Sequence, residues 1–474
     1  MKIHLTAICG TGMGSFAGIL QRAGHEVRGS DENIYPPMSD KLREWGIPMY
    51  EGFQPENLNW NPDLVIIGNV VTRKNPEGQA ILARGLAYES FPSAMGRMFL
   101  EGRRSIVVAG THGKTTTSAM IAWLLHEAGQ QPGFLIGGAL RNFPESFRDT
   151  PPGHPFVIEG DEYDTAFFDK GPKFLHYRPR TAIVTSIEHD HADIYANVEA
   201  VAESFRKLAR IMPSDGLLLL AKGAPGETYL DELAKLAPCR VERYGLGADT
   251  GSEWRGEIEH QGPDGLSLRL WHHAEDLGVF RLSVPGRHNA ANAIAALAAS
   301  LQNGAAPDDL RRALPGFLGA RRRQEEAGTA GDVLVIDDFA HHPTAVHETL
   351  RALRSKYPNR RFWALFEPRS ATCRRNILEP LYVEAFDLAD EVIIAHAHRS
   401  EEFPLAERFL PGRLAENLTQ RGVRARYLPD AEQIVSCVAS EAHAGDVVVV
   451  MSNGSFGGIV PKLLAALRAR GSHG

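Results

Sequence analysis

Gly110-Thr111-His112-Gly113-Lys114-Thr115-Thr116-Thr117 stands between an apolar run at 105–109 and a stretch of helical character that reaches Leu125. A glycine-bearing turn between strand and helix aims backbone N–H groups at a phosphate. A lysine there neutralises β- and γ-phosphates, and the threonine after it can ligate Mg2+. The strict form of such a loop starts with glycine at position 108, where Val108 stands, so this loop is shorter than usual. A bare turn would need no lysine flanked by glycine and threonine, and nucleotide binding is the stronger reading. Strand, loop and helix in that order also set the fold class as α/β, with parallel strands joined by crossover helices.

The same alternation continues on both sides. Upstream, 3–9 and 64–68 read as strands and 15–23 as a helix. Downstream, 182–186, 217–220, 333–337, 362–366, 391–395 and 447–451 read as strands and 345–353 as a helix. The chain has 474 residues, which at about 150 per domain makes roughly three. Charged stretches at 101–104 and 321–326 place the boundaries near 101 and 320. Lys plus Arg number 51 against 58 Asp plus Glu, a net charge of −7 that argues against nucleic acid as a partner. The four cysteines are scattered without a CxxC pair, as in a reducing compartment. Glycines interrupt the N-terminus before a signal-peptide core develops, and no apolar run reaches the ~18–20 residues of a membrane span. The sequence thus reads as cytoplasmic, with no membrane partner. It leaves the oligomeric state open between monomer and weak dimer, and suggests no function for 471–474.

Four further constellations carry chemistry. Cys9-Gly10-Thr11-Gly12-Met13-Gly14 is a second glycine loop, with Asp31 about twenty residues on, but Ser15 replaces the third glycine of a dinucleotide fingerprint. Phosphate ligand and tight turn both remain open there; a dehydrogenase built on this loop would leave the rest unexplained. Residues 158–164, IEGDEYD, and 186–193, SIEHDHAD, place carboxylates and imidazoles at strand ends, where they are either solvated loops or Mg2+ ligands. His288, Asn289 and Asn292 open an Ala-rich helix; they either cap it or meet an adenine edge. Arg321-Arg322-Arg323 and Asp337-Asp338-Phe339-Ala340-His341-His342-Pro343 complete the set.

GTHGKTT, IEGDEYD, EHDHAD, GRHNAAN, GARRRQE and DDFAHHPT follow one another in an order and spacing that resembles the Mur ligases, ATP-dependent enzymes that build the peptide of peptidoglycan. The segments ICGTGMGS, GSDENIYPPMS, EPRSATCRR and MSNGSFGGI resemble the branch that attaches a recovered tripeptide to UDP-N-acetylmuramate during recycling. The branch that adds L-alanine, the alternative, tends to carry a GGAGM-like first loop and a QPHR-like segment where Glu367-Pro368-Arg369 stand.

The resemblance implies a three-domain architecture. A Rossmann-like N-terminal domain (1–101) would take UDP-N-acetylmuramate, a central P-loop ATPase-like domain (102–319) ATP, and a Rossmann-like C-terminal domain (320–474) the murein tripeptide. Gly110, Thr111, His112, Gly113, Lys114, Thr115 and Thr116 would hold ATP phosphates, and His288, Asn289 and Asn292 adenine, which displaces capping. Thr115, Glu159 and His191 would bind Mg2+. Lys114, Glu159, His191 and Arg323 would be catalytic, with Arg322 the close alternative at the γ-phosphate and Asp338 and His341 approaching the nucleotide. Gly10, Thr11, Gly12, Met13, Ser30 and Asp31, with Asn69 and Asn75, would form the UDP pocket. Arg369, Ser370, Ser452 and Asn453 would meet the peptide. Several branches carry a carbamoylated lysine in the helix after EHDHAD; here Lys207 falls one position off, beside Leu208, and the group stays unassigned.

Overall fold

The computed structural model describes residues 1–248 and 251–471; Ser472, His473 and Gly474 lie outside the described residues. Three large sheets form in chain order, and a two-stranded antiparallel ribbon pairs Asp164–Ala166 with Asp169–Pro172. The first has five parallel strands in the spatial order Met49–Glu51, Glu26–Asp31, Lys2–Thr6, Leu64–Ile67 and Tyr88–Ser90. The helix after its first strand spans Thr11–Arg22, earlier than the 15–23 that the sequence suggests. Gly14 and Gly18 sit within that helix because their missing side chains admit Met38, Phe147 and Trp45, not because the chain turns there.

The second sheet has ten strands. Its parallel core places Arg104–Ala109 between Pro155–Gly160 and Thr181–Val184, with Leu217–Ala221 and Arg240–Leu246 beyond. Leu217–Ala221 is buried at every residue, as expected of a strand covered on both faces. An antiparallel meander of Trp254–Gly262, Gly265–His272 and Glu275–Leu282 extends the sheet; the sequence reading had no counterpart for it. Helices Lys114–Glu127 and Arg287–Gln302 pack against each other, the second burying alanine at almost every turn.

The third sheet orders Glu325–Ala330, Val333–Asp338, Val447–Met451, Phe362–Phe366, Glu391–Ile394 and Arg424–Tyr427. Its first strand alone runs antiparallel. The apolar core is continuous between the first two sheets, where Trp45 meets Phe147 edge-on at 5.3 Å and Tyr88 meets Phe168 at 4.9 Å. Two separate clusters cover the third sheet, and neither includes a residue of the first two. All four cysteines are unpaired, and no described helix is long and apolar enough to cross a membrane.

Candidate active site

Strands Arg104–Ala109, Pro155–Gly160 and Thr181–Val184 end together, so the three loops that follow them converge at one point, the carboxyl edge where parallel sheets place their ligands. The loop at 110–113 must turn sharply between strand and helix. Gly110 has φ +122° and Gly113 φ +81°, in the left-handed region that favours glycine. A Cβ on Gly113 would lie 2.7 Å from Asn292 Oδ1, and one on Gly110 would collide with Thr185 Oγ1. The glycines therefore serve close packing as well as the turn.

A cavity of about 1390 Å³ opens at this point. Thr111, His112, Gly113, Lys114, Thr115, Thr116, Glu159, His191, His288, Asn289 and Asn292 line it from the second unit. Arg322, Arg323, Asp338, His341, Ser370 and Asn453 line it from the third, and Thr11 and Gly12 from the first. Residues spread over more than 440 positions are thus gathered about one space.

Lys114 Nζ donates to Gly110 O at 2.7 Å and to Glu162 Oε2 at 2.9 Å. Burial opposes its charge, but Glu162 and Asp161 outweigh burial and hold its pKa above the usual lysine range. Thr115 Oγ1 donates to Glu159 Oε2 at 3.2 Å, and Gly137 N to Glu159 Oε1 at 2.8 Å. Burial, then the charge of Asp161, pushes the Glu159 carboxyl up to about 6. Asp161 is buried too, yet Lys173 at 2.9 Å and Lys114 bring it down to about 2. His191 lies 3.6 Å from Glu162 Oε1 and holds a left-handed φ of +52°, a conformation that costs energy in a residue with a Cβ. Glu162 and Lys173 were not singled out from sequence. The acidic run 158–164 contains Glu162, but the strand ends at Gly160 and periodicity says nothing of where later side chains point.

The arginines divide. Arg322 Nη2 donates to Ser452 O at 2.6 Å and Gly454 O at 2.7 Å, so it ties the unit boundary to the third sheet. Arg323 lies 4.9 Å over the Phe339 ring, with Asp338 and Glu159 as counter-charges. Asp338 accepts from Gln324 N and Ala340 N, both at 2.7 Å, and His341 Nε2 is 3.7 Å from Asp190. The capping reading at 288–292 is corrected: Gly286 is the N-cap of Arg287–Gln302, with no side-chain cap bond. Asn289 instead donates to Pro285 O at 2.7 Å.

Gly10, Met13, Ser30, Asp31, Asn69, Asn75, Gly110, Arg369 and Ser452 do not line the cavity. Ser30 is fully buried and donates to Glu77 Oε1 at 2.8 Å, beside buried His4. Asp31 accepts from Cys9 N at 2.8 Å and so shapes the first glycine loop from behind. Asn75 caps the helix Pro76–Ala83 through Gly78 N, and Asn69 is exposed. Ser452 is fully buried against Glu367, and Arg369 lies 3.4 Å from the same carboxylate. Lys207 is exposed, while Leu208 belongs to the core.

Residues 2–103 match the Mur ligase family catalytic domain, 108–300 the Mur ligase middle domain, and 322–454 the Mur ligase glutamate ligase domain. The UDP-N-acetylmuramate–L-alanyl-γ-D-glutamyl-meso-2,6-diaminoheptandioate ligase of Escherichia coli K12 is 40% identical over 468 residues, 98% of each chain. The crystal structure of a murein peptide ligase from Psychrobacter arcticus 273-4 superposes with a TM-score of 0.74 at 35% identity, covering 99% of each chain. The UDP-N-acetylmuramate–L-alanine ligase of Paenarthrobacter aurescens TC1 is 35% identical over 471 residues, 98% of this chain and 97% of that one. A phosphate loop, a gathered set of acids and bases and three sheets in this order agree with all three matches: the chain belongs to the Mur ligase family of ATP-dependent ligases.

Proposed function

We propose that this chain joins L-alanyl-γ-D-glutamyl-meso-diaminopimelate to the carboxylate of UDP-N-acetylmuramate at the expense of ATP, in cytoplasmic peptidoglycan recycling. The observation that carries this choice is the 40% identity, across 98% of both chains, to a ligase named for that reaction, against 35% to one named for L-alanine. The units at 1–101, 102–319 and 320–474 would bring the sugar nucleotide, ATP and peptide respectively.

The muramyl carboxylate attacks the γ-phosphorus of ATP, giving an acyl phosphate and ADP; the peptide α-amine then attacks the acyl carbon and phosphate leaves. Both steps crowd anions, so fixed positive groups facing the cavity lower the barrier. Lys114 and the N–H groups of 110–116 would hold the phosphates, and Arg323 would meet the charge on the transferred group. Asn292, packed on Gly113, keeps the adenine side of the pocket fixed to the loop. His341 and Asp190 border the space from which an amine would approach.

The residues also fit Mg2+. Thr115 Oγ1 and Glu159 Oε2 present hard oxygens 3.2 Å apart, and His191 lines the same cavity. Bound there, Mg2+ would neutralise phosphate charge.

The deciding measurement is phosphate release with UDP-N-acetylmuramate and ATP, using either the tripeptide or L-alanine as amine. The tripeptide should exceed L-alanine by at least about a hundredfold in kcat/KM, since peptide polar groups lost from a built pocket are costly. The reverse order would make this the L-alanine ligase. A second result separates support from contact at the peptide end. Ser452→Ala removes buried bonds to Glu367 and Gly454 N and should lower stability by about 1–3 kcal/mol in urea. The KM for peptide should stay within about threefold; a tenfold rise would give Ser452 a direct role.

A further inference from the structure

At the wall of the cavity, three side chains from three separate segments meet. His112 comes from the phosphate loop, Glu188 from the loop after Thr181–Val184, and His342 from the N-cap of the helix Pro343–Lys356. One ligand atom of each lies within 4.8 Å of the other two. The imidazoles of His112 and His342 face one another at 4.7 Å between ring centres. His112 Nε2 is 2.8 Å from Glu188 Oε2, an ion-pair contact between two buried atoms that have no other polar partner. His342 Nε2 is buried and unpartnered, in a residue only 2% exposed. A buried, unpartnered His342 nitrogen converging on a histidine–carboxylate pair is costly unless something binds it.

We propose that His112, Glu188 and His342 form a binding site for one borderline divalent cation of the zinc class, bridging the second and third units. Two imidazoles and one carboxylate make a donor set that such ions prefer over Mg2+, with a fourth position left open. Glu188 is held in place from its other oxygen, which accepts from Thr344 Oγ1 at 2.8 Å, the outer support that metal-binding carboxylates usually have. His342 Nδ1 accepts from Thr344 N at a long 3.3 Å; ligation through Nε2 would shift the ring proton to Nδ1 and give up that weak cap bond. The site is distinct from the oxygens of Thr115 and Glu159, and neither Glu188 nor His342 lines the large cavity. Occupancy would pin the phosphate loop to the third unit.

The test uses the tag-free full chain, stripped with chelator and kept in saturating Mg2+ so that hard-oxygen sites are filled. Co2+ is titrated and its visible d–d absorption followed, then Zn2+ is added to displace it. One equivalent of Co2+ with a visible band, displaced by Zn2+, is expected. Glu188→Gln and His342→Gln should each weaken binding at least tenfold, while His272→Gln, in a separate Glu242–His272–His273 group, should leave it unchanged. No band in the unaltered chain would overturn the proposal. So would a band that survives Glu188→Gln, or one lost only in His272→Gln. Should His342→Gln fail to fold, Glu188→Gln with unchanged circular dichroism decides.

Discussion

Lys114→Ala should lower tripeptide-dependent phosphate release by about 10³-fold or more, the effect of removing a main charge from a preorganised anion site. It should also destabilise the chain, for a reason specific to this site. Glu162 has a side chain only 2% exposed and is paired with Lys114 at 2.9 Å. Deleting one partner of a buried pair strands the other, at about 3–5 kcal/mol. Lys114→Met combined with Glu162→Gln removes both charges, and should restore the urea midpoint while leaving turnover lost. That split separates phosphate chemistry from folding. Turnover within tenfold of normal in Lys114→Ala would remove this lysine from the mechanism.

Arg323→Ala should reduce kcat by about 10²–10³-fold with little change in KM for ATP, because a group that meets charge developing in transfer acts on the transition state. Arg322→Ala should do the opposite: kcat within about tenfold, and lower stability from loss of the bonds to Ser452 O and Gly454 O. Steady-state kinetics on both variants decide the matter. An exchange of the two patterns would hand the γ-phosphate to Arg322. Arg322 has a left-handed φ of +57° and bonds Ser452 O and Gly454 O, although both guanidinium groups lie over the Phe339 ring.

Much of this was legible in the chain. The loop at 110–117 announces itself because a tight turn against Asn292 and Thr185 admits no side chain at two fixed positions. Continuous apolar runs such as 217–221 and 447–451 announce buried parallel strands for a similar reason. What local pattern could not show were pairings between distant segments. Glu162 matters through Lys114, 48 positions away, and Lys173 through Asp161 beyond a strand end. Ser30, Asn75 and Ser452 carry polar groups suited to ligands, and the fold engages them in Glu77, a helix cap and Glu367. The meander at 254–282 was missed although Leu266, Leu268 and Leu270 alternate with Ser267 and Arg269 and are buried, a period-two signal open to reading.

The two seams between the units differ in kind. Packed rings and aliphatic groups join the first to the second, beside polar contacts such as Ser90 with Asp169 at 2.8 Å, whereas named contacts to the third include Thr372 with Asp190 at 2.7 Å, Thr344 with Glu188 and Arg375 with Ala192 O. Water can replace each of the latter almost one for one, but it cannot replace packed rings. On this basis opening would be asymmetric, with the first two units travelling as one jaw and the third swinging as the other on a wetter hinge.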